Sequence, residues 1–90
     1  YLAGDSAGGQ MALSASLLLR DEHGVALPGT VLISPVLDLG LRNPDIASVE
    51  PTDPWLGRAA LQVFADRWRG DLPLDDPRVS PLAADLTGLG

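Results

Sequence analysis

A short apolar run, Tyr1-Leu2-Ala3, breaks off at a cluster of small and polar residues, Gly4-Asp5-Ser6-Ala7-Gly8-Gly9, after which the hydrophobic period changes. Three apolar residues are too few for a sheet element of their own, so the run reads as the end of a buried strand that begins upstream of Tyr1. From Gly8 to Glu22, Met11, Ala12, Ala15, Leu18 and Leu19 recur at helical spacing, and Leu13 and Leu17 widen the stripe. That pattern predicts a helix packed closely on a sheet. Gly24 suits the position just past its C-terminus. A loop, His23 to Gly29, then leads into the β-rich run Thr30–Ser34. Strand, helix, strand in this order predicts a parallel pair joined by a right-handed crossover, in an α/β sheet covered on both faces.

Pro35 ends the second strand. The stretch from Val36 to Pro54 holds too many turn residues for a regular element and is expected to be an ordered but irregular excursion. Asp53-Pro54 has the form of an N-cap followed by proline at the first helical position, and Ala60, Leu61, Phe64 and Trp68 set a helical stripe that ends before Gly70. The remainder, Asp71 to Gly90, reads as loop.

Composition narrows the function classes. The 90 residues are 46% hydrophobic, enough apolar material for one core, and they contain no internal repeat. Twelve acidic side chains against six basic ones, all arginine, give a net charge of -6. That balance argues against nucleic acid as a partner and offers no basic patch to an anionic membrane surface. No cysteine is present, so disulfides, a thiolate nucleophile and Cys-based metal sites are excluded. The longest apolar stretches fall far short of the roughly 20 residues that span a bilayer. Nothing near Tyr1 has the basic n-region of a signal peptide, which favours a cytoplasmic location.

The chemistry concentrates at Ser6. A strand that must reverse into a helix within one or two residues forces a strained backbone at the turn and demands small neighbours, and Gly4 and Gly8 fit that demand. Gly4-Asp5-Ser6-Ala7-Gly8 is thus a G-x-S-x-G nucleophile elbow in the strand-turn-helix context the motif requires. The elbow would lift the serine hydroxyl above the strand ends at a helix N-terminus, where free amides and the helix dipole favour a developing oxyanion. Three other readings use similar letters. A chymotrypsin-like protease carries G-D-S-G-G, but within an all-β domain; here Ala7 intervenes and a helical pattern follows. A phosphate-binding loop of the G-x-x-x-x-G-K-[ST] type needs the lysine this chain lacks. In the plainest reading, Ser6 merely caps the helix in a glycine-rich turn.

Together, "YLAGDSAGGQMALSASLLLRD", "VLISPVLDL" and "DPRVSPLAADLTGL" resemble the hormone-sensitive-lipase-like branch of the α/β-hydrolase fold, a family of carboxylesterases and lipases. The resemblance implies an α/β fold, with residues 1–90 forming part of a hydrolase domain: strand, elbow, helix, strand, then a cap-side irregular segment and a helix. It implies Ser6 as catalytic nucleophile, Ala7 as an oxyanion-hole donor, and Gly4, Asp5, Gly8 and Gly9 as the structural frame of the elbow. It assigns the irregular segment and the Trp55 to Trp68 region to the cap and acyl pocket, and structural roles to Asp38 and Ser80-Pro81. The substrate implied is a small-molecule ester, with no metal and no cofactor.

A serine needs a histidine to take its proton and an acid to orient that histidine. The one histidine, His23, lies at the far end of the predicted helix, more than roughly 20 Å from Ser6 at about 1.5 Å per residue, and reads as a surface residue. Asp38, Asp75, Asp76 and Asp85 have no histidine to serve. In the family the triad acid and histidine come from later strands and loops, so the 90 residues are expected to be an internal piece of a domain of about 300 residues. By itself the piece is expected to be inactive and to fold poorly or associate. The alternative is a non-catalytic remnant or interaction module whose exposed sheet edges pair with another subunit.

Overall fold

The computed structural model describes all residues from Tyr1 to Gly90. Strand β1 (Leu2–Asp5) leads directly into helix α1 (Ala7–His23), and strand β2 (Thr30–Ile33) returns parallel to β1 in the register Leu2 to Thr30 through Asp5 to Ile33. The expected order and parallel pairing are therefore present. Helix α1 ends as its sequence indicates, on Gly24 at φ 63°, whose N–H donates to Arg20 O while Val25 N–H reaches Leu19 O. A left-handed residue costs glycine little, and it turns the chain back toward β2.

Only one face of the sheet is covered. Leu2, Gly4, Thr30 and Leu32 lie beneath α1, whereas Ala3, Asp5, Val31 and Ile33 on the opposite face are exposed, Val31 and Ile33 by more than half. The expectation of cover on both faces is not met within this chain, because no second helix packs there. Ten residues in all are buried.

The buried stripe of α1 also differs from the one hydrophobicity marks. Gly9, Gln10, Ala12, Leu13, Ser16 and Leu17 face inward, while Met11 and Leu18 are exposed. Two polar residues enter the core because each finds partners there. Ser16 Oγ donates to Ala12 O at 2.9 Å and pairs with Thr30 Oγ1 at 2.9 Å, and Gln10 Nε2 donates to the carbonyls of Arg78 and Val79 at 3.2 Å each. A buried polar group whose hydrogen bonds are made escapes most of its desolvation penalty.

The excursion after β2 is more regular than expected. It forms a short helix, α2 (Ile46–Val49), followed by a 3₁₀ turn, Glu50–Thr52. Helix α3 (Arg58–Arg69) starts later than the Asp53-Pro54 signal indicates. Asp53 Oδ1 instead accepts the N–H groups of Trp55 and Leu56, capping a turn. The α3 N-terminus is served by Glu50, whose Oε1 accepts Arg58 N–H at 2.6 Å from eight residues upstream. Beyond Gly70 the chain is loop and turn, apart from a 3₁₀ turn at Pro81–Ala83. Ser80, fully buried, ties this tail to the excursion by accepting Leu39 N–H at 3.0 Å and donating to Leu74 O. Asp38 binds Arg42 at 2.9 Å and accepts Gly40 N–H, so both residues hold loops in place as the resemblance implies.

Candidate active site

Ser6 occupies the single residue between β1 and α1, at φ 55° and ψ -117°. This sparsely populated conformation costs an L-residue about 1–3 kcal/mol and persists only where the surroundings over-determine it. The surroundings here are backbone hydrogen bonds. Ser6 N–H donates to Ile33 O at 3.0 Å, and Ser6 O accepts the N–H groups of Gly9, Gln10 and Val36 at 3.1 to 3.3 Å. The serine side chain makes no capping bond to α1, which disfavours the reading of Ser6 as an ordinary N-cap. Ser6 and Ala7 are both exposed.

The glycines around the turn are not equivalent. A Cβ on Gly4 would overlap the carbonyl of Gly8 and stand 2.6 Å from Gly9 N, so β1 and the first turn of α1 can approach only because Gly4 has no side chain. A Cβ on Gly9 would lie 2.7 Å from Pro35 Cβ. At Gly8 it would meet nothing within 4 Å. The expected demand for a small residue at Gly8 is thus corrected: close approach falls on Gly4 and Gly9, while Gly8 supplies the backbone on which Gly4 packs. Asp5, the last residue of β1, is exposed and pairs with Ile33 in the sheet.

A cavity of about 300 Å³ opens beside Ser6 and Ala7, and nine of its eleven lining residues are apolar. Its walls come from four segments: Met11 on α1, Val36 and Leu39 from the excursion, Leu56 before α3, and Leu61, Phe64, Ala65 and Trp68 on α3. Leu61, Phe64 and Trp68 of the predicted α3 stripe line this cavity, and Ala65 is the only α3 residue that is buried. Ala60 is exposed. The resemblance assigns the segments that hold Val36, Leu39, Phe64 and Trp68 to the cap and acyl pocket; Met11 is the lining residue that sequence reasoning missed. Met11 carried a signal, since a large apolar residue one turn beyond the serine can be inside the helix stripe or beside the nucleophile.

Ala7 is the first residue of α1, so its N–H belongs to the initial amides that helix geometry leaves without an intrahelical acceptor. No acidic residue lies in that first turn, so no side-chain charge there opposes the positive end of the helix dipole at Ser6. An oxyanion forming on a carbon bonded to Ser6 Oγ would lie near this N–H and in a favourable field. A base is what this set of residues lacks. No titratable side chain lines the cavity, and His23 is exposed at the opposite end of α1. Of the candidate aspartates, Asp38 pairs with Arg42, Asp76 with Arg78 and Asp85 with Thr87, while Asp75 is exposed and does not line the cavity. No group of histidine and acidic side chains is arranged to hold a metal ion, and no helix is long and apolar enough to cross a membrane.

Comparison with known proteins places this geometry in context. The profile of one family, described as alpha/beta hydrolase fold, matches residues 1–90. An esterase of Acinetobacter venetianus is 38% identical over 89 residues, covering 98% of this chain and 29% of that protein. An acetyl-hydrolase of Streptomyces hygroscopicus is likewise 38% identical over 89 residues, with the same coverage. Among solved structures, EstE7, a hormone-sensitive-lipase homologue from a metagenome library, superposes with a TM-score of 0.87 at 32% identity, over 98% of this chain and 31% of EstE7. The chain thus spans less than a third of the length of these relatives.

Proposed function

The chain belongs to the α/β-hydrolase fold family, in its hormone-sensitive-lipase-like branch, and from that premise we propose that it carries the nucleophile of a carboxylic ester hydrolase. The observation that supports this reading best is Ser6 itself: exposed, held in a strained conformation by backbone bonds, and set between a helix N-terminus and an apolar cavity. Strained backbone of this kind clusters at functional sites, where it forms part of the mechanism.

In the proposed reaction, Ser6 Oγ attacks the ester carbonyl carbon as its proton passes to a histidine. The carbonyl oxygen, now an oxyanion, is held by Ala7 N–H. The tetrahedral intermediate collapses, expelling the alcohol with that proton and leaving an acyl group on Ser6. Water activated by the same histidine then releases the acid and restores the serine. The apolar cavity takes the hydrocarbon part of the ester. The histidine and its orienting acid belong to the remainder of a larger hydrolase domain, of which these 90 residues are the elbow and part of the acyl pocket. The small buried core and the coverage of relatives support that organisation. The rival reading, an interaction module without catalysis, is favoured only by the exposed sheet face at Val31 and Ile33.

A fluorophosphonate probe tests the reading on the protein as its source makes it. The expected result is one adduct, mapped to Ser6, with labelling and ester hydrolysis both abolished by Ser6→Ala. Loss of a triad nucleophile lowers kcat by on the order of a millionfold. Hydrolysis that survives in Ser6→Ala, or an adduct on another residue, would overturn the proposal.

A further inference from the structure

Both strands end on a serine with positive φ: Ser6 at 55° after β1 and Ser34 at 41° after β2. L-residues rarely enter this region, yet the two exits lie side by side, because Asp5 and Ile33 are the last pair of the sheet. The turn that Ser34 makes brackets Ser6 from both directions. On one side of it, Ile33 O accepts Ser6 N–H at 3.0 Å; on the other, Val36 N–H donates to Ser6 O at 3.3 Å. Between them Pro35 packs against α1 so closely that a Cβ on Gly9 would stand 2.7 Å from Pro35 Cβ. Ser34 is exposed, so its positive φ is not explained by side-chain burial. What the conformation does accomplish is to aim one carbonyl and one amide, three residues apart, at the same neighbouring residue.

We propose that the Ser34-Pro35 turn is a positioning element for Ser6: the left-handed conformation at Ser34 sets the two backbone hydrogen bonds that hold the nucleophile in its strained geometry. The inference rests on the assignment of Ser6 as nucleophile. Ser34 touches no reacting atom and acts only through the backbone of Ile33 and Val36. Relaxing the turn moves Ser6 Oγ relative to Ala7 N–H, so attack slows while the apolar cavity still takes up the ester. The expected signature is a fall in kcat with KM little changed.

Three variants of the protein as its source makes it carry the test. Ser34→Gly keeps positive φ accessible and removes the hydroxyl; Ser34→Val disfavours positive φ strongly. Leu41→Val places a comparable penalty at Leu41, φ 52°, in the excursion and outside the Ser6 bracket. Ser34→Gly should label with fluorophosphonate within about twofold of the parent rate, and Ser34→Val should label and turn over about tenfold more slowly, a misplacement well under 1 Å sufficing for that. Leu41→Val should lose thermal stability without losing labelling rate. If Ser34→Val does not fold, Pro35→Ala, which loosens the same turn, should show the same fall in kcat at unchanged KM. Parent-like labelling in every folded Ser34 and Pro35 variant, or an equal loss in Ser34→Gly and Ser34→Val, would overturn the proposal. Failure of the underlying reading is recognised separately, by labelling that is indifferent to Ser6→Ala; the positioning role falls with it.

Discussion

Gly4 and Gly8 stand two residues to either side of Ser6, and replacing each with alanine is expected to have opposite effects. At Gly4, the new Cβ would overlap the Gly8 carbonyl and sit 2.6 Å from Gly9 N, where ordinary contact begins near 3.4 Å. Clearing Gly9 N alone requires a displacement of about 0.8 Å, and the Gly8 carbonyl requires more. The obstructing atoms are backbone, so no flexible side chain can yield; β1 and the first turn of α1 must move apart. Overpacking of this kind costs about 1–3 kcal/mol. Because Ser6 is the one residue joining the two elements, it moves with them, and misplacement by about 1 Å costs on the order of 100-fold in rate. At Gly8 the same methyl group enters open space, and removing a helical glycine stabilises by up to about 0.5–1 kcal/mol. Denaturant unfolding together with fluorophosphonate labelling rates would measure both arms. Gly4→Ala should lose stability and labelling rate; Gly8→Ala should unfold no earlier than the parent and label at a similar rate. A Gly4→Ala variant as stable and reactive as the parent, or a Gly8→Ala variant damaged as badly, would refute the reasoning from close approach.

Gln10 gives a second test. Its buried Nε2 holds Arg78 O and Val79 O on α1, and Gln10→Leu leaves these acceptors without that donor, at about 1–3 kcal/mol. Hydrogen exchange at Val79 to Ala83 should accelerate in that variant while β1 amides keep their protection; unchanged exchange in the tail would show that the tether is unimportant. Acid titration probes the same segment. The Arg78 side chain, followed by the Arg78 backbone N–H, lowers the Asp76 carboxyl from 3.8 to about 2. A lowered folded-state pKa stabilises above the unfolded value and loses that stabilisation as pH falls through the folded one. The Asp76 turn should therefore hold fully above pH 3.8 and weaken toward pH 2. Asp76→Asn should flatten this dependence, and an NMR titration midpoint near the ordinary carboxylate value would contradict it.

Local physics made much of this molecule legible in its sequence. A strand that must become a helix across one residue needs an unusual backbone angle, and the small residues around Ser6 announce it. The period change after Gly9 marks α1, Gly24 marks its end, and the β-rich run from Thr30 marks β2, all because the causes lie within a few residues of their effects. The resemblance carried by the Ser6 motif and the two later segments extended this to the fold family.

What tertiary structure decided depends on partners distant along the chain. The inward face of α1 includes Gln10 and Ser16 and leaves out Met11 and Leu18. The acceptors that make Gln10 tolerable lie 68 and 69 residues away, and hydrophobic periodicity has no access to them. The start of α3 moved because Glu50, folded back by a 3₁₀ turn, reaches Arg58 N–H while Asp53 spends its carboxylate on Trp55 and Leu56. The difference between Gly4 and Gly8 is invisible in a motif that spaces them evenly around the serine; it exists only once α1 lies against β1 and one glycine faces backbone while the other faces open space. Sequence determined where the chain must turn and with which residue. Packing determined what each turn touches, because contact is a property of segments brought together and not of their order.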